Sequence, residues 1–130
     1  MSSQDLTLPL RPFHEGAEFS LSFYERRGGA SSIADFLAGL ARKDRAVLAA
    51  HLERVAEHGP LYNPAKSTPL TSYDFLEFRG SGQQRVFWCY ASGRRIVLLH
   101  GFTKKSSQTP RRELNRGERL RSELRSEIGE

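Results

Sequence analysis

Apolar positions recur along this chain with two different periods, and the switches between them mark out its elements. From Tyr73 to Arg79 alternation sets Asp74, Leu76 and Phe78 against Tyr73, Phe75, Glu77 and Arg79, the two-residue period of a strand. Arg85 to Ala91 and Arg95 to Phe102 are apolar on both sides and rich in β-branched and aromatic residues. That is the composition of strands covered on both faces in mid-sheet. Gly80-Ser81-Gly82 and Ser92-Gly93 separate these runs and predict two hairpin turns. Upstream, Glu18 to Glu25 alternates Phe19, Leu21 and Phe23 with Ser20, Ser22 and Tyr24, a first strand.

Between the first strand and the rest the period lengthens to that of a helix. Ser32 with Asp35 three residues later forms a shortened capping box, followed by Ile33, Phe36, Leu37 and Leu40 on one side. A second helix is predicted over residues 42 to 58, with the stripe Val47, Leu48, Leu52 and Val55, stopped by Gly59-Pro60. Leu61 to Ser72 reads as a loop that carries Lys66 toward the sheet. Thr109-Pro110 opens the last helix with a hydroxyl N-cap and proline at the first helical position. Its apolar stripe is thin, Leu114, Leu120 and Leu124, and Gly117 in its interior costs about 1 kcal/mol relative to alanine. This helix is therefore expected to fray in isolation.

The resulting order, β-α-α-β-β-β-α, predicts an α+β domain: a small antiparallel sheet, a helical hairpin on one face and a C-terminal helix. Residues 1–17, polar and containing Pro9 and Pro12, read as a flexible tail. Residues 18–126 read as the single domain, and 127–130 as a frayed end. A chain of 130 residues is long enough to bury a core without disulfide staples. Its one cysteine, Cys89, lies mid-strand and reads as a small buried apolar residue. No apolar run approaches the roughly 20 residues that span a bilayer, and no signal-peptide core is present at the N-terminus, so a cytoplasmic protein is expected.

Charge changes the picture more than composition does. The formal net charge is +5, yet from Phe78 to Arg112 there is no acid, and Arg79, Arg85, Arg94, Arg95, Lys104, Lys105, Arg111 and Arg112 are all basic. A surface that only keeps a protein soluble mixes both signs. An acid-free block of this length points to a polyanionic partner. The four histidines, His14, His51, His58 and His100, show no metal-ligand spacing, and there is no nucleophile elbow or phosphate-binding glycine loop. No metal or cofactor is expected.

Clustered cations suit RNA cleavage without a metal. The 2′-hydroxyl attacks the adjacent phosphorus, and guanidinium groups stabilise the charge that builds on the phosphoryl oxygens. The two hairpins would bring Arg79, Arg85, Lys104 and Lys105 to one edge of the sheet. Crowding by other cations favours a neutral amine, which makes Lys104 or Lys105 a candidate base. His100, which alternation places with Ile96, Leu98 and Phe102, reads as a packed strand residue, and Glu77 as a group that orients Arg79. Lys66, Arg94, Arg95, Arg111 and Arg112 are candidate contacts to RNA backbone, and Tyr90 is a candidate stacking platform.

The strings F-L-E-F-R at 75–79, R-V-F at 85–87, I-V-L-L-H-G-F at 96–102, K-K at 104–105, Q-T-P at 108–110 and the R-R-E-L that follows resemble the phage-derived, HigB-like branch of the RelE/ParE toxin superfamily. The likeness runs over roughly residues 18 to 122. Gly117 departs from it, standing where that branch commonly has a helix former. The resemblance implies a compact RelE-like fold and the toxin of a type II toxin-antitoxin pair. Such a toxin would be held inactive by a cognate helix-turn-helix antitoxin and, when free, would cut mRNA on the ribosome. By position, Arg79 and Arg85 match the strand arginines around the scissile phosphate, and Lys104 and Lys105 match the basic cluster after the last strand. Two other readings predict different outcomes. A ParE-like poison of DNA gyrase would break DNA and leave mRNA whole, and a non-catalytic nucleic-acid-binding module would depend on no single residue.

Overall fold

The computed structural model describes residues 9–60, 67–70 and 72–129. Nine elements follow one another along the chain: β1 (Leu10–Glu15), β2 (Ser20–Tyr24), α1 (Ser32–Gly39), α2 (Arg42–His58), β3 (Ser67–Pro69), β4 (Leu76–Arg79), β5 (Gln84–Ala91), β6 (Arg95–Thr103) and α3 (Arg111–Ile128). The strands form one sheet in the order β1-β2-β6-β5-β4-β3. All neighbours are antiparallel except β2 and β6, so the sheet is mixed rather than antiparallel as the sequence predicts. The two helices between β2 and the later strands give the chain the length it needs to return parallel to β2.

Both faces of the sheet are covered. On one, Leu21, Phe23, Phe78, Val86, Trp88, Ile96 and Leu98 pack against Ile33 and Leu37 of α1 and Leu48, Leu52 and Ala56 of α2. On the other, Tyr24, Phe75, Phe87, Cys89, Val97, Leu99 and Phe102 pack against Leu120 and Leu124 of α3. This double coverage is why β5 and β6 are apolar at nearly every position. Val47, placed on the buried stripe by periodicity, is 37% exposed; the stripe is Leu48, Leu52 and Ala56, one residue per turn.

Two strands lie outside the sequence prediction. Residues 10–15, expected within a loose tail, form β1, which pairs with β2 across a tight hairpin. The hairpin turn also closes the end of α2, where the backbone N–H groups of Glu18 and Phe19 donate to the carbonyl of Ala56 at 3.1 and 2.9 Å. These bonds satisfy carbonyl valence that a helix C-terminus otherwise leaves to water. At the other edge, β3 adds three residues alongside β4.

The cap of α1 is shifted by one residue. Ser31, extended at φ −139°, accepts the Ala34 N–H at 3.2 Å, and Ser32 is the first helical residue with its hydroxyl free for another partner. For α3 the N-cap is Pro110 without a side-chain cap, so Thr109 does not play the role predicted for it.

Gly117 is the closest approach of α3 to the sheet. It is buried, and a Cβ there would stand 2.7 Å from Phe87 and 2.9 Å from Phe75. The absence of a side chain lets the helix rest on two rings tilted against each other, 4.8 Å apart at their centroids. A glycine read from propensity as a weakness is a packing requirement. Gly117→Ala gains about 1 kcal/mol of intrinsic helix propensity but forces overpacking that costs about 1–3 kcal/mol. Thermal unfolding of this variant is expected to begin several degrees lower than in the parent; an unchanged or raised midpoint would show that the rings yield freely.

Candidate functional site

Three strands bring charged positions together at one end of the sheet. Arg79 of β4 lies opposite Arg85 of β5, which lies opposite Phe102 of β6, so the three form a row on the face that α3 covers. The β4–β5 turn is tied to the end of β6, since the Lys104 N–H donates to the Gln83 carbonyl at 2.7 Å. Lys104 and Lys105 therefore leave β6 beside the same turn. Like charges directly opposite on neighbouring strands weaken their pairing. Of the two arginines, only Arg85 is bonded to the fold among the described residues.

The two arginines differ in accessibility. Arg79 is exposed. Arg85 is only 7% exposed, and its Nη1 donates to the carbonyls of Gln84 at 2.9 Å and Gly82 at 3.3 Å. Gly82 presents its carbonyl from a left-handed conformation, φ +59°, that glycine adopts without strain. Nε of Arg85 is buried with no partner among the described residues, which leaves one donor unspent. Arg85 thus stands behind Arg79, folded into the turn, rather than free at the rim.

One step along the strands, about 7 Å, a second row holds Glu77, Phe87 and His100. Simple alternation puts His100 and Phe102 with Ile96 and Leu98; the structure puts them on the opposite face. The cause is a bulge, for Phe87 pairs with His100 while Trp88 pairs with Leu98, and Leu99 is the extra residue. Beyond it the alternation reverses, and Phe102 joins Val97 and Leu99 in the core under α3.

The bulge turns His100 into a buried polar junction. Its Nδ1 lies 2.6 Å from the Ser32 hydroxyl and its Nε2 lies 2.7 Å from the Glu113 carboxylate, although the residue is 8% exposed. A neutral ring satisfies both contacts when Nε2–H donates to Glu113 and Nδ1 accepts from Ser32. Burial holds the imidazole below its ordinary value of 6.5, Glu113 opposes that shift, and nearby Arg116 reinforces it. Beside this junction the buried carboxylate of Glu77 accepts from Thr109 Oγ1 at 3.2 Å. Glu77 is expected from the sequence to orient Arg79; it anchors the approach to α3 instead. His100 and Glu77 together fix the first turn of α3, and with it Arg111 and Arg112, over the arginine row.

Other predicted contacts do not join this group. Tyr90 is five residues from Arg85 along β5, about 17 Å, and on the opposite face, with Trp88 and Phe19. Arg94 in the β5–β6 turn and Arg95 at the start of β6 lie at the far end of the sheet. Arg94 pairs with Glu18 at 2.7 Å and lies over the Phe19 ring, while Arg95 Nε donates to the Ser92 carbonyl at 2.6 Å. Lys66 lies outside the described residues. The sequence reading gave Ser32 and Thr109 capping roles only and missed Glu113 and Arg116. Glu113 carries a local signal as an acid in the first turn of a helix, and that signal too points to capping.

Because the folded imidazole is held below 6.5, the unfolded chain takes up the proton first. The contribution of His100 to stability is therefore complete above about pH 6.5 and is lost as pH falls through and below that value. His100→Gln is expected to flatten the fall in unfolding free energy between about pH 7.5 and 5.5 relative to the parent. Parallel curves for the two proteins would remove the buried neutral histidine from this account.

The site is thus an exposed arginine, a buried one behind it, two lysines and a helix end bearing two more arginines. Among the described residues no group of three His, Cys, Asp or Glu side chains is placed to hold a metal ion, and no helix is long and apolar enough to cross a membrane. None of the curated proteins matches the chain significantly. The model of the phage-derived protein Gp49-like family (DUF891) matches residues 35–122, from the first turn of α1 through the basic half of α3. That span contains every element that builds the cationic end of the sheet, and the chain belongs to this family, a toxin family of type II toxin-antitoxin systems whose members imply a cognate antitoxin.

Proposed function

We propose that this chain is the toxin of a HigB-like pair with a RelE-type fold, and that it cuts mRNA on the ribosome without a metal. The observation that carries the reading is the row Arg79–Arg85 beside Lys104 and Lys105, cations brought to one end of the sheet by strand register and the β4–β5 turn. In the reaction the RNA 2′-oxygen attacks the adjacent phosphorus, the bond to the 5′-oxygen breaks, that oxygen is protonated by water, and a 2′,3′-cyclic phosphate remains. The negative charge that develops on the non-bridging oxygens is met by Arg79 from the exposed rim. Arg85 adds a second guanidinium with an unspent Nε–H. Lys104 or Lys105 takes the 2′ proton or serves as a second electrostatic clamp, and Arg111 holds flanking backbone. A helix-turn-helix antitoxin that covers this cationic end would silence it by occupying the phosphate positions. The site of action in this reading is the cytoplasm.

The test is primer-extension mapping of 5′ ends on a defined message, with and without translating ribosomes. Cuts on ribosome-bound message alone are expected. Arg79→Ala is expected to reduce cleavage about 100-fold or more, the loss typical of one pre-positioned charge-stabilising donor, with little change in melting temperature because the side chain is exposed. Arg85→Ala should lose both activity and stability, since its guanidinium also ties the turn. Arg94→Ala, at the far end of the sheet, should retain activity. Growth arrest with intact mRNA and broken DNA would overturn the nuclease reading in favour of gyrase poisoning.

A further inference from the structure

The charges of α3 are sorted by partner. Three of its four acids turn to protein groups, Glu113 to His100, Glu123 to the Arg26 guanidinium through two bonds of 2.9 Å, and Glu127 to the Tyr24 hydroxyl at 2.7 Å, while Glu118 is exposed. Toward the C-terminal end, Arg121 and Arg125 share the single carboxylate of Asp74. In the N-terminal half, Arg112, Arg116 and Arg119 are exposed; Arg112 has only a 3.7 Å approach to Glu113, itself held by His100, and the other two have no partner among the described residues.

These three fall at i, i+4 and i+7, so they share one flank of the helix over about 10 Å. Their placement works against the helix that carries them. Arg112 and Arg116 form a like-charge i, i+4 pair, and basic residues in a first turn oppose the helix dipole. A merely solubilising face would be better served by acids at these positions. The stripe starts beside the arginine row and leads away from it along the outside of α3.

We propose that the flank Arg112–Arg116–Arg119 is a docking rail for the phosphate backbone of a folded, double-stranded RNA segment, separate from the strand that enters the cleft. The inference rests on the nuclease reading for the kind of partner, and its geometry does not depend on cleavage. Three guanidiniums in a straight, rigid row match a regular succession of phosphates. A flexible single strand would not need the rigidity, and it already has the sheet-end cations.

The test uses a fluorescent RNA hairpin with every 2′-hydroxyl methylated, which cannot be cleaved, titrated with the full chain at several salt concentrations. Arg112→Gln/Arg116→Gln/Arg119→Gln is compared with Arg42→Gln/Lys43→Gln/Arg54→Gln, which removes the same charge from exposed positions of α2 across the sheet. The rail variant is expected to bind roughly tenfold or more weakly, with a log–log salt slope shallower by about 2.7, the loss of three phosphate contacts on a duplex at about 0.9 each. The α2 variant should keep the parent slope, and replacement of the three rail arginines by lysine should restore it. Equal effects of the rail and α2 variants would overturn the proposal. So would a rail variant that binds the hairpin normally but no longer binds poly-glutamate, which would assign the flank to an acidic protein. Because the probe is uncleavable, a chain without nuclease activity still gives the expected slope. Conversely, a chain that cuts message normally with the rail removed loses the rail and keeps the nuclease.

Discussion

The geometry of the cationic end depends on how α3 is seated. Two contacts seat it, and they are of opposite kinds. Gly117 removes a side chain so that the helix rests on Phe75 and Phe87, and one turn earlier Glu113 reaches His100. The first contact sets the distance of the helix from the sheet; the second sets its rotation and axial position, because a hydrogen bond to a buried imidazole tolerates little displacement. His100 is in turn held by Ser32 from the other helical layer, so one side chain ties α1, β6 and α3 together at the end of the sheet where the cations gather. A buried junction that leaves either nitrogen unpaired would cost about 1–3 kcal/mol, so the three elements are fixed together or not at all.

Against this anchored frame the arginines carry an uncompensated cost. Arg79 faces Arg85 across a strand pair, and Arg112 precedes Arg116 by one helical turn, while the acids nearest to them are occupied by His100 and Thr109. Each repulsion is small, a few tenths of a kcal/mol on a helix surface, but the signs all agree. Folding alone would have paired these groups with Glu77 and Glu113. In the proposed function an anion supplied from outside would relieve all of them at once, so that binding RNA and covering by an antitoxin would be alternative ways of neutralising the same surface.

What the sequence makes legible is set by how local each determinant is. The central strands and both hairpin turns follow from alternation and from glycine, and the core on the face covered by α1 and α2 agrees with the alternation for Leu21, Phe23, Phe78, Ile96 and Leu98. β1 is hidden because Pro12 sits at an irregularity in its pairing and its side chains are only partly covered, so an edge strand carries no clean alternation. The bulge at Leu99 has no local signature, yet it inverts the facing of His100 and Phe102. Gly117 is misleading for a related reason: propensity measures a helix alone, and this glycine answers to two rings far away in sequence.

The acid-free block teaches a narrower lesson about charge. Eight bases between Phe78 and Arg112 suggest one patch, but a hairpin sends the two ends of a strand to opposite ends of a sheet. Arg79, Arg85, Lys104, Lys105, Arg111 and Arg112 fall at one end because each lies near a chain reversal on that side. Arg94 and Arg95 fall at the other because they lie in and just after the intervening turn, and there Arg94 finds Glu18 and Phe19. Proximity in sequence thus counts toward a site only modulo the strand period. Two arginines six residues apart across a turn, such as 79 and 85, meet, whereas two nine residues apart along a strand and its turn, such as 85 and 94, are separated by the length of the sheet. The charges that would extend the site come instead from α3, beyond the block, where Arg116 and Arg119 are interleaved in the sequence with acids, of which Glu113 and Glu123 are bonded to His100 and Arg26.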